Sequence, residues 1–476
     1  MKNSIHHPRP LLVALAAAFL SLPAGAATFT VNNAGDAADA TPGDGNCATA
    51  GAVCTLRAAI EEANALAGAD NIHFNIVGGG AVTISKTTDL PNITSVIHID
   101  GTTQPGASAN TLATGNNAVL LIRYDGGASS GNGFHFTVGS GGSSLRGLIL
   151  SGHTANAILV DFSAGTTIAG NFIGTDATGT NLHNNNGIFM LDDADNHMIG
   201  GPNPADRNVI ANNLTTGITV GNATSLGNTL RNNYIGTAPD GVTARRNGLY
   251  GIFINSAPAS IVRDNVITSE NAAIIVSNGG TNQTSILGNL IGVGADGAAN
   301  LGGYRGIHVT SGNSGAPQMT TIGGVAAGEG NVIANMTDAG IFVDRTSLAH
   351  PYPTNVLIRG NSIHGNGGMG IDLADSASAT GVGVPNANDA NDADTGANDF
   401  QNFPIPTSAT TDGVTTTVAL AYGSYAVGIF PWMSIPRRVA TATGTGRAAS
   451  FWARRASQPT ATAKPASRSR GCRRPR

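Results

Sequence analysis

The stretch Gly251-Ile252-Phe253-Ile254, Asn265-Val266-Ile267, Ala273-Ile274-Ile275-Val276 decides the architecture, because it holds one repeat in its shortest form. A tetrad opening on Gly-Ile or Ala-Ile returns at Gly187, Gly217, Gly251, Ala273, Gly306, Gly340 and Gly370. Each has a second aliphatic two residues after the isoleucine: Met190, Val220, Ile254, Val276, Val309, Val343 and Leu373. Alternation of this kind puts the isoleucine and its partner on one face of a short strand and the residue between them on the other. Interleaved with the tetrads is Asn-x-Ile, at Asn171, Asn208, Asn233, Asn265, Asn289, Asn331 and Asn361. A four-residue strand cannot bury its apolar face alone, but stacked on its counterpart one coil later it gains a hydrogen-bonded ladder and a continuous aliphatic interior. The pattern predicts an all-β chain, a right-handed parallel β-helix or solenoid, with the asparagines bonded to one another at a corner of each coil.

The interval from Gly251 to Ala273 is 22 residues, about one bare coil, while the others run to 30–34 and leave room for inserted loops. Composition agrees: 65 glycines, 5% aromatics and 11% charged residues are low-complexity figures, but 41% apolar residues at regular spacing describe a packed, turn-rich fold. The solenoid is expected over residues 71–380, followed by an acidic Asp/Asn-rich linker over 381–402 and the start of a strand-rich C-terminal module over 403–430.

The first 26 residues are read as a signal peptide. Lys2 and Arg9 precede an apolar run from Leu11 to Leu20 that is too short to span a bilayer, and Ala24-Gly25-Ala26 offers small residues for cleavage. A secreted, cell-surface or periplasmic location follows, and no later segment is apolar for long enough to be transmembrane. Cys47 and Cys54, separated by six residues, are expected to form a disulfide in that oxidising compartment. Directly after them, Thr55 can cap a helix whose stripe is Leu56, Ala59, Ile60 and Ala63, with Glu61 and Glu62 outside. This short N-terminal capping helix would cover the first coil, whose bare edge would otherwise recruit other chains.

Thr28-Phe29-Thr30-Val31-Asn32, followed by Cys54-Thr-Leu-Arg57-Ala58-Ala-Ile-Glu61-Glu-Ala-Asn64, resembles the CSLREA module that opens many secreted bacterial β-helix proteins, although Ala58 stands where the motif has glutamate. The cap is placed over residues 27–70 on that resemblance, and Ile99-Asp100-Gly101-Thr-Thr-Gln104-Pro105-Gly106 is similar to the same family. The resemblance implies a fold and a compartment more than a reaction.

From Pro431 to Arg476 the chain has eleven Lys or Arg and no acidic residue, leaving 14 basic against 29 acidic residues before it, a net of −15. A basic tail ordinarily suggests nucleic-acid or membrane contact. Here residues 431–476 read instead as a basic low-complexity tail produced by a frameshift between about Ala419 and Phe430, since permitted codons for Thr443–Arg447 and Ala456–Ser467 can spell strand-like, Asp-Gly-rich peptides in one shifted frame. Nucleic acid is therefore not an expected partner.

The candidate chemistry is sparse. Asp192, Asp193 and Asp195, with His197 nearby, form the best carboxylate cluster, but adjacent aspartates after a strand are ordinarily turn formers. Asp344 and Asp372 are further acids on strands, and His135 and His308 stand at outward positions where a lone histidine is ordinarily inert. Phe189, Phe253 and Phe342 occupy the outward position of their tetrads, where rings can stack on sugars or lie under inserted loops. Asp389, Asp392, Asp394 and Asp399 make the densest run of oxygen ligands; they suit Ca²⁺ or a solvated acidic linker, and lack the EF-hand spacing. Two functional classes stand: a non-catalytic extracellular scaffold or adhesin-like protein meeting polysaccharide or cell surfaces, and a polysaccharide lyase or glycoside hydrolase working in the groove of the helix. The glycine-histidine and arginine-x-lysine signatures of polygalacturonase-like enzymes are missing, which favours the first.

Overall fold

The computed structural model describes residues 25–127, 131–280, 282–379, 381–412 and 416–421. Nearly all of the expected signal peptide and the whole basic tail lie outside the described residues.

From Val96–Asp100 onward each coil contributes one strand to each of three parallel sheets, which with the incomplete first turns number eleven, ten and nine strands. The first sheet runs from Thr28–Val31 to Leu357–Ile358, the second from Val82–Ser85 to Ser362–His364, and the third from Phe134–Phe136 to Ile371–Leu373. The Gly-Ile tetrads are the strands of the third sheet, and the Asn-x-Ile segments lead into the second. Pairing is in register by tetrad position, as in Ile252 on Ile274 and Ile307 on Ile341. The inward aliphatics fuse into one core from Phe29 to Phe400.

Seven stacked asparagines fill the corner between the first and second sheets. The Asn171 amide donates to Asn208 Oδ1 (3.2 Å), and the chain continues through Asn233, Asn265, Asn289 and Asn331 to Asn361 at 2.8–3.0 Å. A second ladder, Asn184 to Asn213 to Asn247, bonds the corner before the third sheet. The tetrad glycine is a close-approach residue: a Cβ on Gly306 would lie 2.4 Å from the Gly340 carbonyl oxygen and 2.6 Å from Ile333 Cγ2. This is why the isoleucine so often follows glycine.

Helix α1 (Leu56–Ala65) caps the first coil, with the Thr55 hydroxyl accepting from the Ala58 N–H at 3.1 Å. Its stripe is buried as expected, and the Cys47–Cys54 disulfide is formed beside it. Glu62 departs from the expectation that it faces out. It is 0% exposed and accepts the N–H groups of Gly43 and Gly45, so the preceding loop folds back over the helix to meet its carboxylate. After the last coil, strands Ile405–Thr411 and Thr416–Ala421 pair as an antiparallel hairpin.

His153 and His197 are buried, and both ring nitrogens of His153 and Nε2 of His197 have no partner among the described residues. Burial holds both near a pKa of about 4, Lys86 adding to the effect at His153. The unfolded chain takes up these protons near pH 6.5 and the folded chain only near 4, so the stability they confer is complete above about 6.5 and is lost as pH falls through that window. We expect a lower midpoint of thermal unfolding at pH 4.5 than at pH 7, worth about 2 kcal/mol per histidine, and a smaller drop in His197→Asn, measured by calorimetry at the two pH values.

Candidate functional site

Strand stacking arranges the outward tetrad residues of the third sheet in one row. Leu159, Phe189, Thr219, Phe253, Ile275, His308, Phe342 and Asp372 succeed one another coil by coil, about 4.8 Å apart. A second row two residues on runs from Asn255 through Ser277 and Thr310 to Asp344. Two depressions lie along these rows. One of about 420 Å³ is lined by Phe189, Leu191, Thr219, Leu249, Tyr250 and Phe253. The other, of about 570 Å³, is lined by Tyr250 and Phe253 again and by Tyr304, Arg305, His308 and His350. They share Tyr250 and Phe253, whose rings stand 5.4 Å apart, so they adjoin along the outer face of the sheet, the first as the apolar end and the second as the polar end.

The polar end is built from three successive strands. His308 Nε2 lies 2.8 Å from Asp344 Oδ1, and the Ser376 hydroxyl donates to the other oxygen of that carboxylate. Burial opposes the charge of Asp344, which is 2% exposed, but the His308 and Ser376 bonds outweigh it and hold the carboxyl below its usual range. Arg305 Nε donates to Asp338 Oδ2 at 2.7 Å while its guanidinium lies 3.7 Å over the Phe342 ring and 5.1 Å over Tyr304. Behind them Asp372 is buried and pushed up to about 6, chiefly by loss of water, with Asp338 and Asp344 adding to the effect.

The outward phenylalanines therefore divide. Phe189 and Phe253 are half-buried groove residues. Phe342 is 1% exposed, packed with Ala339 and Ala374 and covered by Arg305 and His308 of the preceding coil, so no ring face is left for a ligand. Side chains of a neighbouring strand lie over it.

Asp192, Asp193 and Asp195 sit in the turn after the Asn186–Leu191 strand, the first two in left-handed conformations (φ 50° and 59°). Asp192 bonds the Asn222 amide, and Asp195 accepts the Leu226 N–H at 2.7 Å, so these carboxylates hold the turn of the following coil. His197 is turned inward, its Nδ1 accepting from the Thr166 N–H at 2.9 Å. The four residues do not line either depression.

Oxygens of Asp389, Asp392 and Asp394 lie within 4.8 Å of one another; Asp399 is not in that group. Burial, then the charges of Asp389 and Asp392, raise the pKa of Asp394, whose Oδ1 is buried without a partner among the described residues. Such a set of hard oxygens fits a cation like Ca²⁺.

Sequence reasoning passed over the His308–Asp344 pair, because its members are 36 residues apart and each looks solitary. The signal was available in the tetrads: aligned by register, Asp344 stands one coil on from Thr310, two residues beyond the His308 row.

A family model described as a right handed beta helix region matches residues 174–384. The chain is a right-handed parallel β-helix. Among solved structures this β-helix is similar to the A-module of a mannuronan C-5 epimerase of Azotobacter vinelandii (14% identity, TM-score 0.37, 64% of this chain and 79% of that one). It is also similar to the periplasmic alginate epimerase AlgG (15%, TM-score 0.36, 62% and 70%) and to pectate lyase Pel9A (11%, TM-score 0.30, 70% and 79%). No curated protein matches it. Among the described residues no helix is long and apolar enough to cross a membrane.

Proposed function

We propose that the β-helix is a secreted or cell-surface scaffold, adhesin-like in use, that holds an extracellular polysaccharide along the outer face of its third sheet. One observation carries the reading: two adjoining depressions, one lined by the rings of Phe189, Tyr250 and Phe253 and the other presenting amides, a guanidinium and imidazoles. Half-buried rings stack on the apolar faces of pyranoses, and the polar groups bond hydroxyls. A coil advances by about 4.8 Å, close to the advance of one pyranose in an extended 1,4-linked polymer. The signal-like leader and the disulfide support an extracellular setting. Affinity electrophoresis against a panel of acidic and neutral polysaccharides tests it: retardation by at least one polymer, lost on filling the groove with Thr219→Trp, is the expected result, and no retardation by any would sink the reading.

A second reading, a polysaccharide lyase or hydrolase in the same groove, is favoured by the His308–Asp344 pair. We also propose Ca²⁺ at Asp389, Asp392 and Asp394, with Asp399 as an outlying charge. Millimolar Ca²⁺ should raise the thermal midpoint by a few degrees through preferential binding to the folded state, and Asp394→Asn should remove the rise; an equal rise in the variant would count against the site.

A further inference from the structure

We propose that the polar end of the groove is a proton-abstracting centre that cleaves a 1,4-linked polyuronate by β-elimination, with His308 as the base and Arg305 as the group that binds the uronate carboxylate. The proposal rests on the groove reading above and adds a reaction to it.

The geometry is that of an oriented imidazole. Nε2 of His308 is held at 2.8 Å by a buried carboxylate that is itself fixed by Ser376. With the Nε2 proton donated to Asp344, Nδ1 carries the free lone pair. Among the described residues nothing hydrogen-bonds Nδ1, it is not sealed from solvent, and His308 lines the 570 Å³ depression. On the same wall Arg305 spends only Nε on Asp338, so its two terminal nitrogens present a fork that no described residue fills. That fork is the geometry that grips a carboxylate through two parallel hydrogen bonds. A base beside a carboxylate clamp is what removal of a proton α to a carboxylate requires, because the charge that develops on the carboxylate must be stabilised as the proton leaves.

The step balances without a further reagent. His308 Nδ1 takes the proton from C-5 of the uronate, the C-5–H electron pair forms the double bond between C-4 and C-5, and the bond from C-4 to the glycosidic oxygen breaks. The departing oxygen takes a proton from water, and His308 later returns its own to water. The products are a shortened chain and a new end bearing an unsaturated uronate. Hydrolysis is the poorer fit, since it needs two carboxyl groups flanking the glycosidic bond, whereas Asp344 and Asp372 are 2% and 1% exposed and lie behind His308 and Phe342.

A second pair serves as an internal control. His135 Nε2 meets Asp161 Oδ2 at 2.9 Å across the same register step, six strands earlier in the third sheet. His135 lines neither depression. The pairing alone is thus a cross-strand contact of this sheet; only at His308 does it face a cavity with an open guanidinium.

The experiment incubates the full chain with polygalacturonate, polymannuronate and polyguluronate, and reads ultraviolet absorbance of unsaturated ends beside binding by affinity electrophoresis. We expect product from at least one polymer, a loss of at least about a hundredfold in kcat in His308→Gln with binding and thermal midpoint kept, and no change in His135→Gln. Asp344→Asn, altering a positioning residue, should lower kcat with KM unchanged. Binding of a polyuronate without product across roughly pH 5–9, or an undiminished rate in His308→Gln, overturns the proposal and leaves the groove reading standing. Binding of none of the three polyuronates overturns the proposal as well, and only failure to bind any polymer of the wider acidic and neutral panel overturns the groove reading with it.

Discussion

Asn265→Ala is expected to destabilise the fold by about 2–4 kcal/mol, read as a shift in the midpoint of urea unfolding with an unchanged slope. Asn265 stands mid-stack. Its Oδ1 accepts from both the backbone N–H and the amide of Asn233, and its own amide donates to the Leu230 carbonyl and to Asn289 Oδ1. Alanine leaves the buried Asn233 N–H without its acceptor and opens a gap in a corner that is 0–1% exposed on both sides. An unmade hydrogen bond at a buried donor costs more than a typical made one contributes, and the lost side-chain volume adds a cavity term. Asn46→Ala, at an exposed position outside the ladder, should stay within about 0.5 kcal/mol. A loss at Asn265 no larger than that would mean the ladder follows from the fold and does not hold it.

Phe253→Ala should weaken polysaccharide binding about tenfold, near 1.4 kcal/mol, with little change in stability. Phe342→Ala should do the reverse, costing about 3 kcal/mol of stability and leaving the apolar end of the groove intact. The difference comes from their coils. Phe253 is followed in the outward row by Ile275 and stays half-buried, shared by both depressions, whereas Phe342 lies beneath the Arg305 guanidinium. Isothermal titration and thermal melts on the two variants separate the effects. Equal binding losses would place the ligand on the polar end as well.

The solenoid was legible because its cause is local and repeated. Period-2 burial, the tetrad glycine and the corner asparagine each act within a few residues, and each recurs at the spacing of a coil, so Ile188, Ile218 and Ile252 announce one ladder without coordinates. The cap followed from a helix stripe and a cysteine pair. Glu62 was misplaced because helical period says which face a residue is on, not what loop arrives to cover it. The aspartates at 192, 193 and 195 were conspicuous because they are contiguous, and contiguity on this fold makes a turn.

The chain by itself determined the coil, the inward ladder and which residues face out, since these depend on neighbours a few positions away. Only the tertiary structure decided which outward residues meet: His308 with Asp344, and Arg305 over Phe342. The physical reason is that a parallel coil brings together residues some thirty positions apart, with inserted loops of unequal length between them. Register, and not sequence distance, then selects the partners.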